Sequence, residues 1–293
     1  VAATIIRTFL LEAFTIPTPS MEETLMVGDF LFVSKLNYGP RIPQTPLSIP
    51  FVHNELLGMK SYSEAISLDY HRLPGFSKVK NNDIVVFNYP GMPGEDDDTR
   101  PVDKKTHYIK RCIGIPGDSL KIIDGVVYIN NKEVPFPKRG QKIYRVFSHG
   151  FMFDDETLRE LGITNMDMGQ FDNGIIMMTP QAAADLAQRT NIDSVKLIYQ
   201  TKEFPESRIF CYDSLHQWNM DNFGPIYLPK KGDEIEISYK NISIYRRAIT
   251  AYEHNQLEER DGKIFINGKE TNKYKFKMDY YFMMGDNRHN SAD

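Results

Sequence analysis

A serine next to two prolines is the first candidate for chemistry in this sequence. Ser20 comes directly after Pro19, and Pro17 lies two residues further back. Each proline fixes its own φ and favours extended geometry in the residue before it. The Ser20 hydroxyl therefore ends a stiff segment, beside a second hydroxyl on Thr18, where a nucleophile could be held. The same residues allow another interpretation, because Ser20-Met-Glu-Glu23 matches the S-x-x-E capping box of a helix start.

A serine hydroxyl needs a base in order to attack a carbonyl group. The serines lack the flanking glycines of the α/β-hydrolase nucleophile elbow, and none of the seven histidines is near Ser20 in sequence. Lys110 is the better candidate. A lysine has a pKa of about 10.4 in water and would need one of about 7 to 8 to act as a base, which burial could produce.

The residues around Lys110 predict a strand over 106–115 that would carry this lysine into an apolar setting. Strand alternation places Tyr108, Lys110 and Cys112 on one face of the strand. A lysine that extends into solvent from an edge strand is the alternative interpretation of the same residues.

Five segments of the chain occur in an order typical of one family. They are Ile16–Met21, Gly28–Phe30, Asp83–Phe87, Tyr108–Asp118 and Met284–Asp293. Together they resemble the successive sequence boxes of bacterial type I signal peptidase, a Ser-Lys protease. The resemblance implies that the chain removes signal peptides from exported preproteins at the bacterial cytoplasmic membrane, with its catalytic part on the extracytoplasmic side.

The resemblance also implies roles for individual residues. Ser20 would be the nucleophile and Lys110 its base, while the Thr18 hydroxyl and the Ser20 backbone N–H would form the oxyanion hole. Ser291 would orient the lysine, and Asp293 would support it. The pattern leaves His289 unexplained, because many relatives have aspartate at that position.

The substrate would be an extended peptide with small residues before the cleaved bond. Such a peptide can pair with the edge of a strand, and secretory signals end in an A-x-A-like pattern. Shallow apolar pockets are therefore expected, and ordinary core packing is the alternative role of the same side chains. The family match gives the lining candidates Ile16, Pro17, Met21, Leu25, Val86, Tyr108 and Ile109.

The resemblance implies a mainly β fold with an antiparallel catalytic core of signal-peptidase type, and the boxes that flank the middle of the chain predict a large inserted α+β domain. The predicted core comprises residues 15–134 and 262–293, with a proline-rich insertion at 38–79 and the inserted domain at 135–261. Residues 1–14 are expected to form the end of a membrane-anchor or interfacial helix.

Periodicity and turn residues predict the individual elements. Strands are expected at 30–33 and 84–87, and two-hairpin meanders at 120–134 and 257–271. Short helices are expected at 61–73, 155–161 and 179–190. For 235–245 a strand is predicted, with a helix at 241–254 as its rival, and the four prolines of 37–53 predict an irregular loop.

Composition narrows the function classes. A net charge of −4 gives no support for nucleic-acid binding, which favours a basic surface. No metal or organic cofactor is expected. The acidic run 95–98 is interpreted as solvated surface, with a calcium site as a minor alternative. Whether Cys112 and Cys211 form a disulfide stays open, as does the oligomeric state.

Two other functions fit part of the pattern. A Ser-Lys self-cleaving regulator of the SOS-repressor type would share the chemistry, but it would carry a basic DNA-binding segment. An inactive peptide-binding module on the same fold would share the groove without hydrolysis. Membrane lipid and signal peptides are the expected partners for the preferred interpretation.

Overall fold

The structure is a computed structural model that describes residues 2–91, 100–149, 155–163 and 174–291. The acidic run 95–98 and Asp293 lie outside these ranges. Contacts between residues divide the chain into two compact units. The first unit comprises Val1–Pro17 and Val27–Cys112, and the second comprises Thr18–Met26 and Ile113–Asp293.

The first unit is built from short antiparallel pairs of strands. It contains α1 (Ala2–Ile5), a π-helical turn (Ile6–Leu10), β1 (Leu11–Thr15), β2 (Phe30–Ser34), β3 (Glu55–Leu56), β4 (Met59–Lys60), β5 (Ile84–Asn88), a 3-10 turn (Val102–Lys104) and β6 (His107–Gly114), whose last two residues belong to the second unit. Strand β1 pairs with β2, β3 with β4, and β5 with β6. The strands predicted at 30–33, 84–87 and 106–115 are thereby confirmed.

The expected helix at 1–14 is wrong beyond residue 10. Helical structure ends at Leu10, and residues 11–15 form β1, because backbone pairing with β2 satisfies their hydrogen bonds instead. Among the residues that the structure describes, no helix combines the length and the apolar character needed to cross a bilayer.

A buried carboxylate belongs to strand β1 of the β1–β2 hairpin. Glu12 is almost inaccessible to solvent and accepts hydrogen bonds from Lys35 Nζ at 2.7 Å and Arg7 Nε at 2.9 Å. Burial acts to raise the pKa of Glu12, but the two cations outweigh it and the pKa is lowered. The hairpin therefore has one face built around an ion-pair network.

The helix predicted at 61–73 is wrong, and the proline-rich segment explains why. Residues 61–73 run extended beside residues 40–49, with backbone bonds from Ile49 N–H to Ser61 O at 2.8 Å and from Ser63 N–H to Leu47 O at 2.8 Å. The irregular loop predicted for 37–53 is confirmed. Prolines lack an N–H but leave carbonyls that a neighbouring extended segment can use.

The meander predicted for 120–134 is present in the second unit. A second meander with similar turns follows later in the same unit. The strands of the first meander are β7 (Ser119–Ile123), β8 (Val126–Ile129) and β9 (Lys132–Glu133). Asp124 and Gly125 both have positive φ at the first turn, as two-residue hairpins require. The second meander, predicted at 257–271, has the same turn chemistry at Asp261 and Gly262.

The described residues between 142 and 197 form a small α+β layer inside the second unit. Strands β10 (Lys142–Ser148), β11 (Ile175–Met178) and β12 (Ile192–Leu197) make one antiparallel sheet, with β10 in the middle. Helices α2 (Asp155–Glu160) and α3 (Pro180–Leu186) pack Leu158 and Leu186 against it. Both helices were predicted, and Thr179 caps α3 by accepting the Ala182 N–H.

The remaining elements complete the second unit. They are β13 (Phe223–Tyr227), β14 (Glu234–Glu236), α4 (Ile242–Arg247) with a π-helical turn (Ala248–Tyr252), β15 (Leu257–Arg260), β16 (Lys263–Ile266), β17 (Lys269–Glu270), β18 (Lys273–Lys275) and β19 (Phe282–Met284). The strand predicted over 235–245 is confined to β14, and the rival helix near 241–254 is confirmed. Ile242 and Ile249 on one side of this helix are buried against Phe276, so tertiary packing decides the conformation.

The fold class is mainly β with several antiparallel sheets, as predicted. The two observed units divide the chain at other places than the predicted boundaries at 135 and 261. The inserted domain therefore stays a prediction.

Candidate functional site

Backbone hydrogen bonds join the two ends of the segment that carries Ser20. Ile16 donates its N–H to Asp29 O at 2.9 Å and accepts the Gly28 N–H at 2.9 Å. These two hydrogen bonds bring together the residues on either side of the segment Thr18–Met26. By its contacts this segment belongs to the second unit.

Ser20 lies inside a single 3-10 turn, Pro19–Met21, and is 6% exposed. The N-cap of this turn is Thr18, whose side chain makes no capping bond, and Glu23 has a positive φ of 65°. The capping-box interpretation is therefore wrong, since Ser20 is not at a helix start. Its Oγ lies 3.5 Å from Thr18 Oγ1.

The last sequence box packs directly on this turn. Asn287 donates its N–H to the Ser20 carbonyl oxygen at 3.1 Å. Thr24, one turn further on, donates its hydroxyl to Asp286 Oδ2 at 2.7 Å. A Cβ on Gly285 would lie 2.6 Å from the Ser20 carbonyl oxygen and 2.4 Å from Ser291 Oγ, so only glycine fits there.

Ser291 is thus brought to the same glycine as the proposed nucleophile. Its Oγ is buried and has no hydrogen-bond partner among the residues that the structure describes. A buried hydroxyl without a partner is costly, which is consistent with a hydroxyl kept for a bond made during function. Asp293 lies outside the described residues, and its supporting role stays a prediction.

Lys110 lies in the middle of β6, opposite Val85, and is 4% exposed. Its Nζ donates to Ile109 O at 3.2 Å and lies 5.3 Å from the centre of the Tyr108 ring. The prediction that Lys110 and Tyr108 share a face of this strand is confirmed, and the alternative of a solvent-exposed lysine is wrong. The pairing of Lys110 with Ser20 stays a prediction.

The predicted substrate-lining residues differ in exposure. Ile16 and Met21 are buried in the interior, which is the core role that the sequence also allows. Pro17 is exposed, and Leu25, Val86, Tyr108 and Ile109 are half-buried. Val86 pairs with Ile109 on the opposite face of the β5–β6 pair from Lys110. Their contact with substrate stays a prediction.

The residue pair that sequence reasoning missed is Asp221 with His289. His289 Nε2 lies 3.0 Å from Asp221 Oδ2, and both side chains are largely buried. The partner of the unexplained histidine is thus a carboxylate 68 residues away in sequence. The residue types of the run Asn219-Met-Asp221-Asn222 are common in turns, but nothing in this run points to position 289.

One group among the described residues could hold a metal ion: Cys211, Asp213 and His216 place their ligand atoms within 4.8 Å of one another. The Ser243 hydroxyl lies 3.3 Å from both Cys211 Sγ and His216 Nδ1, so it already bonds with the group. Burial raises the pKa of Cys211 to about 11, which keeps the thiol protonated. These atoms satisfy one another as a hydrogen-bonded cluster, and neither Cys211 nor Cys112 is in a disulfide.

Comparison with known proteins finds similarity to signal peptidases. The family described as "Signal peptidase, peptidase S26" matches residues 1–211 of this chain. Signal peptidase I of Rickettsia prowazekii (strain Madrid E) is 33% identical over 135 residues, covering 45% of this chain and 40% of that protein. Signal peptidase I of Rickettsia typhi (strain ATCC VR-144 / Wilmington) is 35% identical over 133 residues with the same coverage. The matched part thus spans 40% of the length of each of these relatives.

Proposed function

Since the chain belongs to the signal peptidase family, peptidase S26, we propose that it is a serine endopeptidase that removes N-terminal signal peptides from exported preproteins. Ser20 is its nucleophile and Lys110 its general base. The burial of Lys110 carries the proposal. The Lys110 residue is 4% exposed, and burial of a lysine in general favours the neutral amine, the form that can accept a proton.

The proposed reaction proceeds through an acyl-enzyme. Ser20 Oγ attacks the carbonyl carbon of the scissile bond while its proton passes to Lys110 Nζ. The tetrahedral intermediate collapses, the C–N bond breaks, and Lys110 returns the proton to the leaving amine. The mature protein leaves as this amine. Water then attacks the acyl-enzyme with Lys110 again as base, which breaks the ester bond, frees the signal peptide as a carboxylate and restores Ser20.

Thr18 and the turn around Ser20 support the oxyanion hole of this mechanism. The Thr18 hydroxyl is 3.5 Å from Ser20 Oγ, close enough to donate to an oxyanion that forms at the acylated serine. The Asn287 N–H donates a hydrogen bond to the Ser20 carbonyl oxygen and so stabilises this turn. Donors fixed in place before the charge develops are the effective ones.

An exposed apolar face supports action at a membrane. Phe30 and Phe32 on β2 are 85% and 78% exposed, and Leu11 on β1 is also exposed. Ala13 pairs with Phe32, so these side chains share one face of the hairpin. Apolar faces of this kind mark interaction surfaces. We place this face on the lipid of the bacterial cytoplasmic membrane, with the catalytic residues on the extracytoplasmic side.

The test compares Ser20→Ala and Lys110→Met on a synthetic preprotein peptide with small residues at −1 and −3. Each substitution should lower kcat/KM by roughly 10⁴-fold or more, because a serine-protease mechanism fails without either group. Two matched variants serve as controls. Lys104→Met removes another buried lysine near a tyrosine ring, 5.1 Å from that of Tyr62, and Ser61→Ala removes another buried serine hydroxyl.

Substantial cleavage by Ser20→Ala or Lys110→Met would contradict the dyad. If the wild-type protein cut only itself and not the peptide, a self-cleaving regulator would be the better description. If the wild-type protein bound the peptide without hydrolysis, it would be an inactive binding module.

A further inference from the structure

The last sequence box, Met284–Asp293, contains a tight turn that is hydrogen-bonded to the Ser20 turn. Asn290 donates its N–H to Asn287 O at 3.2 Å, which closes a turn over residues 287–290 with His289 near its tip. The first residue of this turn is the one whose N–H meets the Ser20 carbonyl oxygen. Any displacement of the turn therefore displaces the support of Ser20.

Arg288, beside His289 at the tip of this turn, contacts Met284 Sδ at 2.6 Å and lies 5.6 Å from the centre of the Phe136 ring. Gln141 donates its N–H to Asp286 O at 2.9 Å and so holds the start of the turn. The Asn287 side chain has no hydrogen-bond partner among the described residues, although it is 1% exposed. A cavity of about 80 Å³ lies beside the tip, lined by apolar side chains such as Ile122 and Phe223 and by His289 itself.

His289 ties this tip to Asp221. A carboxylate at neutral pH only accepts hydrogen bonds, so the His289 Nε2 that faces Asp221 Oδ2 at 3.0 Å carries a proton and donates it. Asp221 Oδ2 also accepts the Gln200 N–H at 2.8 Å. The carboxylate therefore belongs to a part of the protein remote in sequence from the box it holds.

Hydrogen bonds other than the one with His289 also hold Asp221 in place. Asn219, which is fully buried, accepts the N–H groups of Asp221 and Asn222 and donates its amide to Thr201 O and Phe204 O. Gly125 donates its N–H to Asp221 O at 2.9 Å. Such a network holds the carboxylate in one orientation.

We infer that Asp221 is a positioning residue for the catalytic serine, acting through His289 and the 287–290 turn. Asp221 orients His289, His289 holds the tip of the turn, and the turn presents the Asn287 N–H to Ser20 and sets Ser291 against Gly285. The inference rests on the proposed function of Ser20.

The test uses Asp221→Asn and a control pair of the same kind. In Asp221→Asn, kcat on the preprotein peptide should fall about 10- to 100-fold, while KM changes less than about threefold. Asp213→Asn is the control, because Asp213 also faces a histidine, His216, at 3.0 Å in the same unit without touching the box. Its kcat should stay within twofold of wild type, although the melting temperature of both variants falls.

His289 variants test the link even if Asp221→Asn folds poorly. His289→Gln keeps a side-chain N–H donor and should retain kcat within about threefold, whereas His289→Leu should lose as much as Asp221→Asn. His289→Asp sets two carboxylates face to face and should be at least as damaging. The exchange Asp221→His with His289→Asp restores the pair and should recover at least tenfold over His289→Asp.

The outcomes separate this inference from the proposed function. If Ser20→Ala abolishes cleavage but Asp221→Asn and His289→Leu keep wild-type kcat, the inference is overturned and the protease assignment stands. An equal loss of kcat in Asp221→Asn and Asp213→Asn would also overturn it, as an effect of stability alone. Cleavage of the preprotein peptide by Ser20→Ala would contradict both the inference about Asp221 and the proposed role of Ser20.

Discussion

At the scale of single residues, His107 illustrates how burial controls charge. Its ring packs 4.6 Å from His53 and 5.2 Å from Phe14, measured between ring centres, on the strand that carries Lys110. Burial, followed by repulsion from His53, lowers the pKa of His107 from 6.5 to about 4. The folded protein therefore holds this imidazole neutral at pH values where the unfolded chain is already protonated.

The consequence for stability has a definite sign. Between pH 6.5 and about 4 the unfolded chain binds a proton that the folded protein does not, so the free energy of unfolding falls as the pH is lowered, by up to about 3 kcal/mol. In His107→Phe this part of the loss should disappear. Urea unfolding at pH 7 and pH 4.5 measures it.

The exposed His71 provides the control for this pH effect. His71→Phe should keep the wild-type difference in unfolding free energy between the two pH values. An unchanged difference in His107→Phe would contradict the argument from burial.

The sequence allowed the setting of some residues to be predicted and not of others, because contacts between residues far apart in the chain leave no local signal. Lys110 could be placed on a face of its strand because side-chain alternation is local, and its burial agrees with that placement. The partner of His289 could not be found, since nothing local connects it to Asp221. Ser20 was open to a capping role until the turn around it was known, because one short motif serves both purposes.

At the scale of elements, Gly285 sets how closely the last box approaches the Ser20 turn. Gly285→Ala would place a methyl group 2.6 Å from the Ser20 carbonyl oxygen and 2.4 Å from Ser291 Oγ, so the two segments would have to separate. We expect kcat/KM on the preprotein peptide to fall by roughly 100-fold, since displacements of about 1 Å cost that much in positioned catalysis.

Gly262→Ala is the matched control for Gly285→Ala. Gly262 lies in a hairpin turn with positive φ and open space around its Cα, so the substitution should lower the melting temperature without lowering kcat/KM. Equal activity in the two variants would show that the close approach at Gly285 does not matter for catalysis.

Elements with local signals could be predicted, and those decided by tertiary contacts could not. The Asp124-Gly125 and Asp261-Gly262 turns specify their hairpins by themselves. Residues 61–73 have apolar residues at helical spacing, yet they bond to the proline-rich segment instead. For the chain near 241–254 local signals left a strand and a helix as rivals, and the burial of Ile249 in one core cluster with Phe276 favours the helix.

At the scale of the whole molecule, the apolar face of the β1–β2 hairpin predicts lipid binding. The double variant Phe30→Ser/Phe32→Ser should weaken partitioning onto vesicles of phosphatidylethanolamine and phosphatidylglycerol by at least about tenfold, because each inserted phenylalanine contributes about 1.5 to 3 kcal/mol. Cosedimentation with the vesicles measures the partitioning. Cleavage of a short soluble peptide should change little.

Phe76→Ser is the control for the vesicle experiment. Phe76 is as exposed as Phe30, at 85%, but it lies outside the hairpin. Its substitution should leave vesicle binding unchanged, and an equal loss in both proteins would mean that any exposed phenylalanine contributes.

The contact between the two ends of the chain has a consequence for the time course of biosynthesis. Asp286 lies 262 residues beyond Thr24, so a ribosome delivers the serine long before it delivers the segment that holds the turn in place. A nascent chain that has not yet reached residues 284–291 lacks the Asn287 N–H that meets the Ser20 carbonyl oxygen. If Ser20 is the nucleophile that we propose, the peptidase activity should therefore begin only after these residues have been translated.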